Sequence, residues 1–311
     1  MVAEAIKSST SKLKVFLAMS RTQHGIIDAT TPALVALLFL GYFPSLHIMV
    51  IGMIAAIAGY TAIYALNDFV DRKVDQEKMA NEEGDIAKDA GYLDAAMVRH
   101  PLAQNIISQT QGLAWIGFWF AVSFAAAYAL NPVSAFILVV AAVLEIIYCK
   151  LFKVTHWRIL ASGVVKTCGS IAAVFAVQAH PPVLPLVLMF IWLFLWEVGG
   201  QNIPADWTDI GEDKSIAAKT LPIVYGAEKA SFIIFVSLAA SVVASCLLLA
   251  LLPHHFSTIA MLAFAVVGVY VLLMPAYRLF QTKAHRDCVA LFNKASHYPF
   301  VLLLVVVLLL N

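Results

Sequence analysis

Nine continuous apolar stretches run along the chain, at about 25–43, 47–67, 109–130, 132–150, 159–178, 182–202, 230–252, 257–277 and 294–311. An α-helix needs roughly 20 apolar residues to cross a hydrocarbon core about 30 Å thick, and each stretch approaches that length. The runs are continuous rather than alternating, which argues against a membrane β-barrel. The pattern predicts an all-α polytopic membrane protein: nine transmembrane helices in one bundle, as a single domain over residues 1–311. The connections alternate in kind. Residues 42–46, 131–132, 180–182 and 253–257 are short and carry no Lys or Arg. Residues 1–24, 68–108, 149–158, 203–229 and 278–293 are longer and polar. Of the 20 Lys and Arg, all but Lys166 lie in this second set or at its edges. The positive-inside rule then puts the polar segments and the N-terminus in the cytoplasm and, after nine crossings, the C-terminus outside.

Composition sharpens the picture. With 62% hydrophobic and 13% charged residues and a mean hydropathy of +0.87, the chain is no soluble globular enzyme and no disordered protein. A net charge of +1 gives no long-range field for nucleic acid. Cys149, Cys168, Cys246 and Cys288 show no C-x-x-C spacing, so neither a disulfide framework nor a zinc site is expected. The stretch 1–16 lacks an apolar run with a small-residue cleavage site, so no cleaved signal peptide is expected.

The informative chemistry lies in two polar segments. Asp68, Asp71 and Asp75 form one D-x-x-D-x-x-x-D pattern, and Asp206, Asp209 and Asp213 form another. On a helix, offsets of three, four and seven share a face, so each set projects three carboxylates from one stripe. The first follows helix 2 and the second follows helix 6; with four crossings between them, both emerge on the same side. Like charges on one stripe repel. Hard oxygen ligands of this kind suit Mg²⁺ shared with substrate phosphates. A metal–diphosphate group bridging the sets would neutralise both and help a carbon–oxygen bond to break. Either set alone reads as solvated loop charge; the matched pair on one membrane face favours a shared metal site.

These residues resemble the UbiA superfamily of intramembrane prenyltransferases, to which the 4-hydroxybenzoate polyprenyltransferases belong. Residues 67–75 resemble its N-D-x-x-D-x-x-x-D motif, and residues 206–213 are similar to its second aspartate motif. Lys219, Thr220, Leu221, Pro222 and Gly226 resemble its continuation, and residues 98–103, with Arg99, Pro101 and Leu102, its R-P-L segment, His100 standing where Arg is more usual. The resemblance implies nine helices around a central cavity and Mg²⁺ as cofactor. It implies transfer of a prenyl group from a polyprenyl diphosphate to an acceptor, often aromatic, through an allylic carbocation. Apolar walls would keep water from the cation, and aromatic faces would stabilise it. The partners implied are the diphosphate, the acceptor and membrane lipids, with no nucleic acid and no obligatory protein partner. Asp71, Asp75, Asp209 and Asp213 are the catalytic candidates, and all six aspartates the metal ligands.

Other polar residues join the candidate site. Lys166 sits eight residues past Arg158, roughly 12 Å deeper, beyond full snorkelling. It either contacts the diphosphate or an anionic acceptor, or pairs with Glu145 or Glu197. Arg72 is a candidate for diphosphate oxygens, with Lys150 and Lys153 weaker ones that also read as membrane anchors. Asn67 is a candidate for metal or acceptor, and Asn202 echoes it four residues before Asp206, with a helix cap near Pro204 as the ordinary reading. Glu197, His24 and Asp28 can serve an acceptor or only bond neighbouring helices. Trp115, Trp119, Trp192 and Trp196 can line a cavity or form interface belts. Gly163 and Gly169 would let helices approach closely. The segments 68–108 and 203–229 are read as a cytoplasmic cap over the site, with helical composition at 91–98. A terpene cyclase would need the same aspartates. A secondary transporter would place carboxylates near the midplane instead.

Overall fold

The computed structural model describes residues 12–81, 97–252 and 256–310. All regular structure among them is helical: α1 (Lys12–Met19), α2 (Thr22–Asp28), α3 (Thr30–Leu40), α4 (Leu46–Asn81), α5 (Gln109–Leu130), α6 (Pro132–Lys150), α7 (Arg158–Val177), α8 (Val183–Trp196), α9 (Ile203–Thr208), α10 (Ile210–Ser215), α11 (Leu221–Leu251), α12 (Thr258–Gly268), α13 (Met274–Thr282) and α14 (His285–Leu309). The described residues hold nine spans long and apolar enough to cross a membrane, as the hydropathy pattern predicts. Short signals set the boundaries. Ser108 and Gln111 cap α5 reciprocally. Asn131 alone separates α5 from α6, capping Val133 N–H with Pro132 in the first turn. Gly41, at φ 73°, closes α3 in the left-handed conformation.

The structure moves several predicted boundaries. The second span does not end at 67: α4 runs on to Asn81, roughly 54 Å at 1.5 Å per residue. That exceeds the hydrocarbon thickness, so the first aspartate set rides the projecting end of a membrane helix rather than a loop. The predicted helix at 91–98 falls almost wholly outside the described residues. The predicted span beginning at 294 starts earlier, at His285; the one beginning at 230 is preceded by a short helical segment from Leu221 that breaks at Gly226, φ 76°.

Two π-helical turns interrupt the bundle, Glu197–Asn202 after α8 and Val269–Leu273 after α12. Each lies just before a proline, Pro204 and Pro275. A proline ring clashes with the carbonyl four residues back, and a widened turn relieves that clash. Gly200 admits the close packing of the first: a Cβ there would lie 2.9 Å from that of Ala295. Gly163 likewise lets α7 approach α8, since its Cβ would lie 2.5 Å from the Phe194 ring.

Packing divides the molecule. The main core joins α3, α8, α11, α12 and α14 around the fully buried Trp192, Trp196, Phe264 and Tyr298. The two tryptophans of α8 are therefore core residues and neither belt nor cavity lining. Helices α4 to α7, with α3 and the Glu197–Asn202 turn, surround a cavity of about 590 Å³. It runs from Asn67, Tyr148 and Asn202, near the aspartates, to Phe43, Leu130 and Val177 at the opposite rim. Ala56, Gly59, Ala141, Gly169, Ala172 and Ala176 keep its wall thin.

Candidate active site

The first aspartate set is built on one uninterrupted helix. Asp68 and Asp75 are buried and Asp71 is half-buried. The segment after residue 96 folds back onto them. His100, in the left-handed region at φ 46°, turns its Nδ1 to Asp75 Oδ2 at 2.9 Å and to Asp68 Oδ1 at 3.7 Å. Burial disfavours its protonation, but the carboxylates of Asp75 and Asp68 outweigh that and raise its pKa. Gln76 Nε2 donates to the Ala103 carbonyl at 3.1 Å and Arg99 donates to Glu212, which fixes the segment. Ligand atoms of Asp68, Asp75 and His100 lie within 4.8 Å of one another. Asp68 Oδ2 is buried with no hydrogen-bond donor among the described residues. A buried, undonated carboxylate oxygen beside further ligating atoms fits a hard divalent cation.

The second set departs from the expected single stripe. Asp206 lies in α9 and Asp213 in α10, but Asp209 sits between them at φ −99°, ψ 12°. Thr208 Oγ1 donates to the Ala205 carbonyl at 2.8 Å and to Asp209 Oδ1 at 3.4 Å; such local bonding competes with helix continuation. Asp206 accepts from Arg158, and Asp213 pairs with Lys78 Nζ at 2.6 Å. Burial pushes the Asp213 carboxyl up to about 7, with Lys78 pulling it down and Asp206 adding to the rise.

Two bases join the sets. Lys78 belongs to α4, one turn beyond Asp75, yet its ion pair is with Asp213. Arg158 opens α7, with its guanidinium 4.5 Å from the Tyr148 ring and 4.3 Å from the Phe152 ring; Lys78 lies 4.8 Å from the same Phe152 ring. Arg158 is within electrostatic reach of Asp71, Asp206 and Asp213, and Lys78 of Asp75, Asp209 and Asp213. The two triads thus face each other across shared cations. Lys78, Arg158 and His100 carry no functional signal in the sequence beyond positive charge, a span boundary and the segment around Pro101.

The remaining candidates divide. Asn67, Lys166 and Asn202 line the cavity. Asn67 Nδ2 donates to Glu145 Oε1 at 2.7 Å. Lys166 donates to Asp28, which also accepts from Tyr64, and lies 3.9 Å from Glu197 Oε2. Its main counter-charge is therefore Asp28, a partner outside the expected pair of glutamates; Glu145 is taken up by Asn67. Asn202 is not a helix cap: its Nδ2 donates to Tyr148 Oη and to Ser162 Oγ, both at 3.0 Å. Arg72 turns away to the Gln109 side-chain amide. Lys150 is exposed at the end of α6, and Lys153 pairs with Glu77 at 2.6 Å. Trp115 donates to Ser20 Oγ at 2.9 Å.

Comparison with known proteins places this arrangement. The sequence pattern described as the UbiA prenyltransferase family matches residues 29–304. A 4-hydroxybenzoate octaprenyltransferase from Shewanella denitrificans is 24% identical over 229 residues, which cover 73% of this chain and 72% of that relative. In fold, the chain is similar to a UbiA homologue from Aeropyrum pernix K1 in its apo form, with a TM-score of 0.70, 16% identity and coverage of 93% of this chain and 98% of that one. It is also similar to a UbiA homologue from Archaeoglobus fulgidus bound to GPP and Mg²⁺, with a TM-score of 0.66, 18% identity and coverage of 92% and 99%.

Proposed function

Because the chain belongs to the UbiA prenyltransferase family, we propose that it moves a prenyl group from a polyprenyl diphosphate to an aromatic acceptor within the membrane, as one domain over residues 1–311. The observation that carries this reading is the meeting of the two aspartate triads around Lys78 and Arg158 at one end of a long apolar cavity. Asp68, Asp71 and Asp75 on one side and Asp206, Asp209 and Asp213 on the other would hold Mg²⁺, which supplies charge compensation for the departing diphosphate. Arg158 and Lys78 sit where they can also bind diphosphate oxygens, Arg158 through its planar fork. His100 holds Asp68 and Asp75 together. The small-residue wall takes the isoprenoid tail and keeps water from the allylic cation formed as the carbon–oxygen bond breaks. The rings of Tyr60 and Tyr64, on the cavity wall, offer that cation their faces.

The polar segments bearing the aspartates belong at the cytoplasmic face, the N-terminus with them, and the C-terminus outside. Residues 97–108 and α9–α10 form a cap there; Arg99 to Glu212 and Asn81 Nδ2 to the Ser215 carbonyl, at 3.2 Å, support that role. A second reading, cyclisation of the diphosphate without an acceptor, uses the same triads. The buried polar groups around Glu197 and Asn202 on the cavity wall favour transfer, because they offer hydrogen-bond partners to a second, polar substrate.

The test uses the full chain in lipid nanodiscs with labelled geranylgeranyl diphosphate, Mg²⁺ and a panel of aromatic acceptors. Chelator-sensitive formation of a prenylated acceptor supports the reading. A cyclic hydrocarbon formed without acceptor replaces transfer by cyclisation. Failure to bind any prenyl diphosphate overturns both.

A further inference from the structure

The π turn at Glu197–Asn202 sets Glu197 and Asn202 five residues apart, one turn of a π-helix, so both side chains project from the same face. Both are buried and both line the cavity. One hydroxyl clamps the pair. Ser162 Oγ donates to Glu197 Oε1 at 2.9 Å and accepts from Asn202 Nδ2 at 3.0 Å. Tyr148 Oη holds the second Asn202 N–H at 3.0 Å. Each side chain is thereby fixed by one end and left with one bare oxygen. Glu197 Oε2 and Asn202 Oδ1 are buried and accept no hydrogen bond from any described residue. The Tyr60 hydroxyl on the same cavity wall is likewise buried and unbonded.

Buried polar atoms rarely stay unmatched, because each one left so has given up its bonds to water without a replacement. Bare oxygens seek donors. Lys166, which shares the cavity wall with Arg21 and His24, does not fill this need: it donates to Asp28 and reaches Glu197 Oε2 only at 3.9 Å, beyond hydrogen-bond length. Its charge is already countered by those two acids, so little of it remains for an incoming anion. A carboxylate brought to this level of the cavity would set oxygen against oxygen.

The geometry points to Glu197 Oε2 and Asn202 Oδ1 as the subsite for hydroxyl donors of the acceptor, so that the acceptor is an uncharged phenol or hydroquinone rather than an aromatic carboxylate. This rests on the prenyl-transfer reading for its meaning, but the subsite is defined by the chain's own oxygens. Glu197 and Asn202 select and orient the ring by accepting its O–H groups. Tyr60, with a ring on the wall and a free hydroxyl, completes the recognition of a flat, hydroxylated molecule.

The experiment measures binding first and transfer second. The full chain in nanodiscs, without any diphosphate, is titrated with three matched probes: hydroquinone, its dimethyl ether and 4-hydroxybenzoate. Hydroquinone binding at least tenfold tighter than either of the others is the expected result. The isosteric Glu197→Gln change and the smaller Ser162→Ala change, which frees the clamped pair, each weaken hydroquinone binding about tenfold. Prenyl diphosphate affinity stays within twofold of the unchanged protein in both. Since Glu197→Gln alters one atom, it keeps the test valid if Ser162→Ala lowers the melting temperature. Equal or tighter binding of 4-hydroxybenzoate, or of the dimethyl ether, overturns the inference. So does hydroquinone binding unaffected by both variants. Hydroquinone selectivity in a protein that binds no prenyl diphosphate leaves the subsite standing and removes the transferase reading. Diphosphate binding without hydroquinone selectivity does the reverse.

Discussion

On α4 three aspartates ride a continuous helix, while beyond α8 the same spacing is cut at Asp209 into two short helices. The two regions meet the same repulsion among like charges differently. The first keeps a fixed stripe and borrows His100 from a distant segment to hold Asp68 and Asp75. The second gives up the stripe and draws a base from each of two other helices, Arg158 from α7 and Lys78 from α4. Identical spacing therefore does not dictate identical backbone. The carboxylate geometry of the first set is stored in a helix, and that of the second in ion pairs that reach across the bundle.

That contrast can be broken most directly at its centre. Asp71→Asn and Asp209→Asn are each expected to lower turnover about 10²–10³-fold, the size seen when an electrostatic stabiliser is removed. Diphosphate release measures it, and a loss under tenfold for Asp209→Asn would confine the chemistry to the α4 set. Next in size is Arg158→Met. It strips a buried carboxylate of its partner, which costs about 3–5 kcal/mol. The melting temperature of the detergent-solubilised protein should fall clearly, and adding Asp206→Asn should restore part of the loss. His100→Ala should act on the first set alone, raising the Mg²⁺ concentration for half-maximal activity roughly tenfold, as loss of an orienting partner does. An unchanged Mg²⁺ requirement would leave His100 only a packing role. The smallest effect is expected at Lys153→Ala, whose pair with Glu77 is partly exposed. It should shift stability by less than about 1 kcal/mol, with thermal melting as the readout.

Much of this was legible in the chain itself. Membrane spans follow from a solvent that tolerates no unpaired backbone, so the hydropathy pattern gives their number directly. The two aspartate sets follow from spacing. What escaped was long-range pairing. The sequence sets Lys166 against the glutamates, and it does lie 3.9 Å from Glu197 Oε2, but nothing in linear order favours its nearer partner Asp28, 138 positions away. Lys78 and Arg158 looked like ordinary inside-positive charges, because their identity as partners depends on which helices pack together. Arg72, adjacent to Asp71, looked functional by position, yet one residue along a helix turns a side chain by about 100°, here towards Gln109. The break at Asp209 was hidden because the spacing of three and four suits an unbroken helix equally well.

The widened turn before Pro204 has one more effect. In a regular helix each added residue advances the direction of everything after it by about 100°. A wider turn resets that angular phase, so α9 points Asp206 where it does because of six residues upstream that contain none of the aspartates. Deleting one of them would leave every aspartate in the sequence and still aim the second triad at the wrong neighbour. The widened turn thus acts as a clutch: it sets the rotational register of the carboxylates that follow it.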